Sequence, residues 1–341
     1  MRQLDELELV VVVDNETDTL SSIDNAVQTP ESRNILDRGE ETVFDHLCCA
    51  CHGFSVLLTG RIGDQTRTVL FDVGPYSDIW LANADRLGVE LATIETIFLS
   101  HWHWDHSGAL PEVITAIAEA RAADGLAPPV MDVHPDRPTQ RGVRVNDGRI
   151  SLLPPEPELG ELTSAGAVVA QEGHAHDVAD GFFHGSGEIP RLTSFETGLH
   201  GHVTRRDGNS DEDFEDDPLI LDERYLAAAV AGRGTTVLSA CSHAGIINAA
   251  TAASSLSDAP LDLVLGGYHL AGGVMEQRIP ETVEALRALD PQLVAPGHCT
   301  GWRAKAALAN EFSPSGRYAP SVVGTRYRLA EPSSVTTAET R

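Results

Sequence analysis

His101, His103, Asp105 and His106 fall within the run His101-Trp102-His103-Trp104-Asp105-His106. Residues two apart in extended backbone project to one side, so His101 and His103 can grip one metal ion. Asp105 and His106, on the turn that follows, can point to a second ion nearby. Imidazole and carboxylate suit zinc, and also manganese or iron. Two ions ~3.5–4 Å apart can activate a shared hydroxide at neutral pH and stabilise an oxyanion. A chance H-x-H is common, and a lone histidine at a strand end is usually a surface or capping residue. The whole pattern, directly after the apolar run Ile94–Leu99 and before Ser107-Gly108, is far rarer and points to a metal site.

Three more of the fourteen histidines also follow apolar runs: His243 after Thr235–Leu238, His269 after Leu261–Leu265 and His298 after Leu293–Ala295. Strand ends of an α/β sheet share an edge, and ligands bind there. The elements that must place them alternate accordingly. Strands are expected at Leu7–Val13, Phe54–Leu58, Thr68–Phe71, Ile94–Leu99, Val130–Val133, Glu223–Ala231, Thr235–Leu238, Leu261–Leu265 and Gln292–Ala295. Helices are expected over Asp78–Leu87, Leu110–Ala123, Ile247–Leu256, Pro280–Leu289 and Trp302–Asn310. Paired strands followed by strand–helix alternation occur in each half. That order fits two mixed sheets face to face with helices outside. The reading is one α/β domain over residues 1–330, a long insertion at about 136–220 and a flexible tail at 331–341. Within the insertion, Pro154-Pro155-Glu156-Pro157 reads as linker and Asp211–Asp217 as a solvated acidic loop. His174, His176, His200 and His202 read as loop residues. Cys48, Cys49 and Cys51 read as a buried strand rather than a metal knuckle, because no second pair follows at zinc-finger spacing.

The run Phe98–Leu110 resembles the signature of the metallo-β-lactamase superfamily, Leu70-Phe71-Asp72-Val73-Gly74 its D-x-G strand, and Pro296-Gly297-His298 its last metal-ligand motif. His52-Gly53-Phe54-Ser55, Gly187–Arg191, Cys241–Asn248, Gly266–Leu270 and Gly297–Gly301 resemble one branch of it, which includes dihydropterin-ribofuranosylaminobenzene-phosphate synthases. The resemblance implies an αβ/βα four-layer sandwich with metals at one edge between the sheets. It gives His101 and His103 to the first metal, and Asp105, His106 and His298 to the second. It implies a third histidine for the first metal, here His243, with Cys241 as the alternative. No aspartate stands where the family carries an acidic ligand. Asp72 is expected to hydrogen-bond a ligand imidazole, Arg191 to meet a substrate phosphate or carboxylate, and Glu188 and Glu196 to border the pocket. Asp105 and His269 are the candidate catalytic residues, His269 as a ligand or as proton donor to the leaving group. Trp102 and Trp104 should face away from the ligand histidines and pack, with one of them at the pocket mouth. The leading expectation is a metal-dependent hydrolase that uses a metal-activated hydroxide on an ester, phosphodiester or related bond of a small molecule, with one or two zinc ions. The alternative is a synthase joining a pterin to a phosphorylated aminobenzene riboside.

Composition bounds the rest. The 341 residues hold 24 Lys+Arg against 51 Asp+Glu, a net charge of −27. Lys305 is the single lysine. An acidic surface poor in lysine is expected of a protein kept soluble in molar salt, where screening reaches ~3 Å. It disfavours a broad nucleic-acid footprint. The acidic first residues, Met1–Asp14, lack the basic start of a signal peptide, and no apolar run is long enough to span a bilayer. A cytoplasmic protein without membrane contact is expected.

Overall fold

The structure, a computed structural model, is described for residues 1–331 except 24, 34–38, 40–45, 146 and 209. The expected tail lies outside the described residues from 332 onward.

Glu6–Val13 shows how the layers arise. Side chains of a strand alternate between faces. Leu7, Leu9 and Val11 enter the central core, while Val10 and Val12 pack on the opposite side. A strand buried on both faces reads as a continuous apolar run, as this one does. It belongs to an eight-stranded mixed sheet with the spatial order Val168–Gln171, Val130–Val133, Ile94–Phe98, Gln65–Phe71, Ser55–Ile62, Glu6–Val13, Arg326–Ala330 and Gln28–Thr29. The second sheet has seven strands. Its main path is His176–Val178, Phe183–Gly185, Leu226–Val230, Gly234–Ser239, Leu261–Gly267 and Leu293–Gly297, and Gln3–Leu4 pairs with Leu226–Val230. The central core joins Phe54, Phe71 and Phe98 from the first sheet to Leu238, Leu263 and Leu265 from the second.

Helices close both outer faces. Trp80, Ala84 and Leu87 of Ser77–Leu87, with Val113, Ile114 and Ile117 of Leu110–Ala123, cover the first sheet. Gly88 ends the earlier helix in the left-handed region at φ 67°, satisfying its last carbonyls. Ala250, Leu286 and Leu308, from Ile246–Ser254, Ile279–Leu289 and Trp302–Phe312, cover the second sheet. The four layers expected from the sequence are therefore present. Among the described residues no helix is long and apolar enough to cross a membrane.

Four local expectations need correction. Cys48–Cys51 is not a strand: Cys48 is buried and Cys49 exposed on an irregular segment. The strand expected from Glu223 starts at Leu226, which frees Glu223 and Arg224 for polar contacts. Within the segment 136–220, His176 and His202 lie on strands and not in loops. Gln140–Arg144, Ile150–Leu152, His202–Arg205 and Glu215–Asp216 form a third, antiparallel sheet. Pro154–Pro157 is not a free linker either. Glu156 is buried and accepts a hydrogen bond from Ser107 Oγ, beside the metal motif.

Burial raises the Glu156 carboxyl to about 7 from an ordinary value of 4.5, against the lowering effects of Ser107 and Arg141. Between those two values the native state binds more protons than the unfolded chain, so its stability falls as pH rises through the window. Glu156→Gln removes this loss. The variant is expected to be more stable than the parent at pH 8, by up to roughly 3 kcal/mol, with the gain gone below pH 4.5. Denaturant midpoints at the two pH values test it; a difference independent of pH refutes it.

Candidate metal centre

The edge where the strands end is built on unusual backbone. Asp72, Ser242, His269 and His298 all have left-handed φ, at 55°, 59°, 45° and 43°. Non-glycine residues adopt this region at a cost and cluster where surrounding structure over-determines them. Each follows a strand, either directly or within three residues, and each turn directs the chain across the gap between the sheets. Gly267 permits the close approach: a Cβ there would lie 2.4 Å from the Ala240 carbonyl oxygen and 2.6 Å from Cys299 Sγ.

The hydrogen bonds around the histidines fix which ring nitrogens carry protons. Ser100 Oγ donates to Asp72 Oδ2 at 2.7 Å, so it accepts from His101 Nδ1 at 2.8 Å. His101 Nε2 is then a bare lone pair. His202 Nδ1 donates to the Asp217 carbonyl at 2.7 Å, so its Nε2 accepts from His103 Nε2 at 3.0 Å. His103 Nδ1 is then bare as well. These two lone pairs face each other at 2.9 Å, and His243 Nε2 lies 3.2 Å from His103 Nδ1. Neutral imidazoles do not hold such contacts without a cation. Burial, reinforced by neighbouring positive charge, keeps His101, His103 and His243 far below the ordinary imidazole range, hence neutral. Two bare nitrogens facing each other, with the neutral His243 ring against them, form a donor set that a metal ion would satisfy.

A second group stands beside the first. His106 Nδ1 donates to Asp72 Oδ2 at 2.7 Å, leaving Nε2 bare and 3.2 Å from Cys241 Sγ. His298 Nδ1 donates to Asn15 Oδ1 at 2.9 Å, and its bare Nε2 is 3.3 Å from Asp105 Oδ2. Asp105, His106, Cys241 and His298 thus offer four ligand atoms within 4.8 Å of one another, and His101, Cys241 and His243 offer three. Cys241 belongs to both groups. No aspartate stands where the resemblance implies an acidic ligand, and Cys241 is the donor that these two groups share. The donor set fits two ions, with Asp72, Ser100, His202 and Asn15 orienting the ligand rings from behind.

Not every expected residue points at these donor groups. Arg191 does not line the cavity, because its guanidinium is held by the backbone carbonyls of His243 and Leu219. Glu188 is exposed. Glu196 accepts from the Ile247 and Asn248 amides at 2.9 Å, capping the helix behind His243. Trp102 is buried and donates to the His134 carbonyl, whereas Trp104 borders the cavity. His269 lines the cavity, its ring centroid 4.4 Å from that of His243.

Several contributors were not foreseen. His202, expected in a loop, lies on the strand His202–Arg205, is buried and supports His103. His176, also expected in a loop, sits on His176–Val178 with Nε2 2.7 Å from Asp132 Oδ2. Glu223 accepts from the His243 and Ala244 amides at 2.8 and 2.6 Å and sets the His243 loop. His52 lies 3.3 Å from Asp105 Oδ2. The alternation at His200/His202, and Asp14-Asn15 after the first strand, were the available signals.

The cavity above the ligands has a volume of about 540 Å³. Its walls are Trp104, Val143, Leu153, Pro154, Leu199 and Ala271, and no lysine or arginine lines it among the described residues. Val143, Leu153, Pro154 and Leu199 come from the segment 136–220, which therefore roofs the site.

His202→Phe removes the acceptor that holds His103 Nε2–H. Loss of such a partner typically costs 10–100-fold in metal affinity, and a fall of about that size is expected in chelator competition. His202→Gln, whose amide both accepts and donates, should recover part of it. Equal affinity in His202→Phe and the parent would exclude this support.

Residues 50–204 match the profile of the Metallo-beta-lactamase superfamily. The chain is 26% identical over 278 residues to the 7,8-dihydropterin-6-methyl-4-(beta-D-ribofuranosyl)-aminobenzene-5'-phosphate synthase of Methanocaldococcus jannaschii, covering 76% of this chain and 85% of that one. An uncharacterized protein of the same organism is 29% identical over 261 residues, covering 76% and 88%. The crystal structure of a metal-dependent hydrolase of the beta-lactamase superfamily superposes with a TM-score of 0.67 at 20% identity, covering 95% of this chain and 99% of that one. With the strand order, the layers and the histidine edge already described, the chain has the fold of these proteins and is similar over residues 50–204 to the metallo-beta-lactamase superfamily.

Proposed function

We propose that the chain is a metal-dependent hydrolase of a small ester or related substrate, with two adjacent metal positions. The first would be held by His101, His103 and His243, the second by Asp105, His106 and His298, with Cys241 between them. The observation that carries the reading is the pair of bare nitrogens, His101 Nε2 and His103 Nδ1, 2.9 Å apart, with His103 lining the cavity. When bound, the ions supply Lewis acidity that activates water and stabilises negative charge on oxygen. The chain's own residues orient the ligand rings, and its apolar walls exclude bulk water and hold the substrate's carbon skeleton. Zinc suits the mixed imidazole, carboxylate and thiolate donors.

A second reading is a synthase acting on a pterin and a phosphorylated riboside, supported by the 26% identity to the methanogen protein. The lining favours the first, since phosphate recognition ordinarily draws on Arg or Lys. Metal analysis together with a panel of carboxylic ester, lactone, thioester, phosphodiester and pterin substrates separates them. Hydrolysis by the metal-loaded protein is expected; condensation of a pterin without any hydrolysis would favour the synthase.

The net charge of −27 supports a proposal about solvent, an acidic protein adapted to high salt inside the cell. Its melting temperature is expected to rise steeply from low salt to molar KCl, because screening relieves self-repulsion. A flat or falling curve rejects this.

A further inference from the structure

A third group of donors lies against the two just described. Cys241, His269 and Cys299 bring two sulfurs and a ring nitrogen within 4.8 Å of one another. The sulfurs are 3.5 Å apart and both cysteines are free and buried. Two thiolates at ~2.3 Å from one zinc stand about 3.8 Å apart at the tetrahedral angle, so the observed separation needs little adjustment. The groups are presented deliberately. Cys299 sits in the turn His298–Thr300, His269 holds left-handed φ at 45°, and Gly267 leaves room for the Cys299 sulfur. His269 Nδ1 is buried without a hydrogen-bond partner among the described residues. The two positions above do not use Cys299 or His269.

We propose that Cys241, Cys299 and His269 form a third metal position, of two-cysteine, one-histidine type, that takes a thiophilic d10 ion such as zinc or cadmium. Its ligands are softer than those of the histidine-rich positions, so thiophilic ions should prefer it. The Cys241 sulfur is common to all three groups, and a thiolate has lone pairs enough to bridge. In this arrangement His269 acts as a ligand rather than as proton donor to a leaving group.

The test uses the full chain, stripped with chelator and titrated with cadmium, with cadmium–thiolate charge-transfer absorption as a readout independent of activity. The parent should bind three equivalents. Cys299→Ser should bind two and lose a large part of the thiolate absorption. His269→Gln should keep two tight equivalents while the third weakens at least ~10-fold, a minimum set by what loss of a partner to a metal ligand costs. Circular dichroism checks that each variant is folded, and His269→Gln carries the test if Cys299→Ser is not. Two equivalents in the parent, with stoichiometry and absorption unchanged in the folded variants, overturn the third position and leave the two-ion reading standing. Two in the parent and one in Cys299→Ser also overturn it, because Cys299 would then belong to one of the two positions. No bound metal in the parent ends both readings.

Discussion

His103→Ala is expected to strip most of the metal from the protein and to abolish any hydrolysis that depends on it. His103 Nδ1 stands between its partners, 2.9 Å from His101 Nε2 and 3.2 Å from His243 Nε2. Removing the ring leaves two imidazoles at the proposed first position. The affinity loss should exceed the ~10–100-fold that follows loss of a mere outer partner. The effect should spread to the second position, because the Cys241 sulfur is shared by both ligand groups. Purified parent should carry at least one to two equivalents of a transition metal, and His103→Ala a small fraction of that, by elemental analysis of folded protein. A cobalt-substituted pair reads the same event optically, since tetrahedral cobalt absorbs strongly in the visible. Parent protein free of metal, or a variant that retains its full content, would remove the basis of the metal-centre reading.

What could be read from residues alone was the part governed by local pattern. The apolar runs and the capping Gly88 follow from short-range rules, and strand ends bearing histidines follow from the alternation of strands and helices. His298 could be read as a candidate ligand through Pro296-Gly297-His298 because that motif is contiguous, and it lies 3.3 Å from Asp105 Oδ2. The donor common to both groups could not be read in the same way. Cys241 reaches both ligand groups only through packing between two sheets, and sequence spacing does not encode that distance. His202 is the sharper case. It lies 99 positions from His103 and meets it at 3.0 Å. The intervening segment lacks long periodic elements, since its strands Gln140–Arg144, Ile150–Leu152 and His202–Arg205 are short. Short strands in a polar segment carry little hydrophobic signal, so loop was the natural assignment. Arg191 errs in the other direction. An arginine in a motif reads as a substrate contact, whereas here backbone carbonyls hold its guanidinium.

Arg141→Leu is expected to be the most damaging single change away from the ligands. Arg141 and Asp222 are both about 1% exposed and form a buried pair, Nη2 to Oδ1 at 2.5 Å. Asp222 Oδ2 also accepts from the Trp102 amide at 2.8 Å, and Arg141 Nη1 donates to the Trp102 carbonyl. Trp102 separates His101 from His103, so the pair clamps the ligand loop and ties it to the sheet of the 136–220 segment. Removing the arginine leaves a buried carboxylate without its counter-charge, which typically costs 3–5 kcal/mol. The cost must depend on pH. In the parent, burial alone would raise the Asp222 carboxyl, but the Arg141 charge and its hydrogen bonds overcome that and hold it at about 2, below its ordinary 3.8. The pair's stabilisation is therefore complete above about pH 4 and lost as pH falls toward 2. In Arg141→Leu burial is opposed chiefly by the Trp102 amide and no longer by the arginine, so the carboxyl titrates higher than in the parent, and protonation relieves the strain. The gap between parent and variant should be widest near pH 8 and narrow markedly toward pH 4, by denaturant midpoints. Metal affinity should fall alongside stability, because the clamped loop carries two of the ligands proposed for the first ion. A gap that stays constant with pH would show that lost packing, and not the orphaned Asp222 charge, governs the variant.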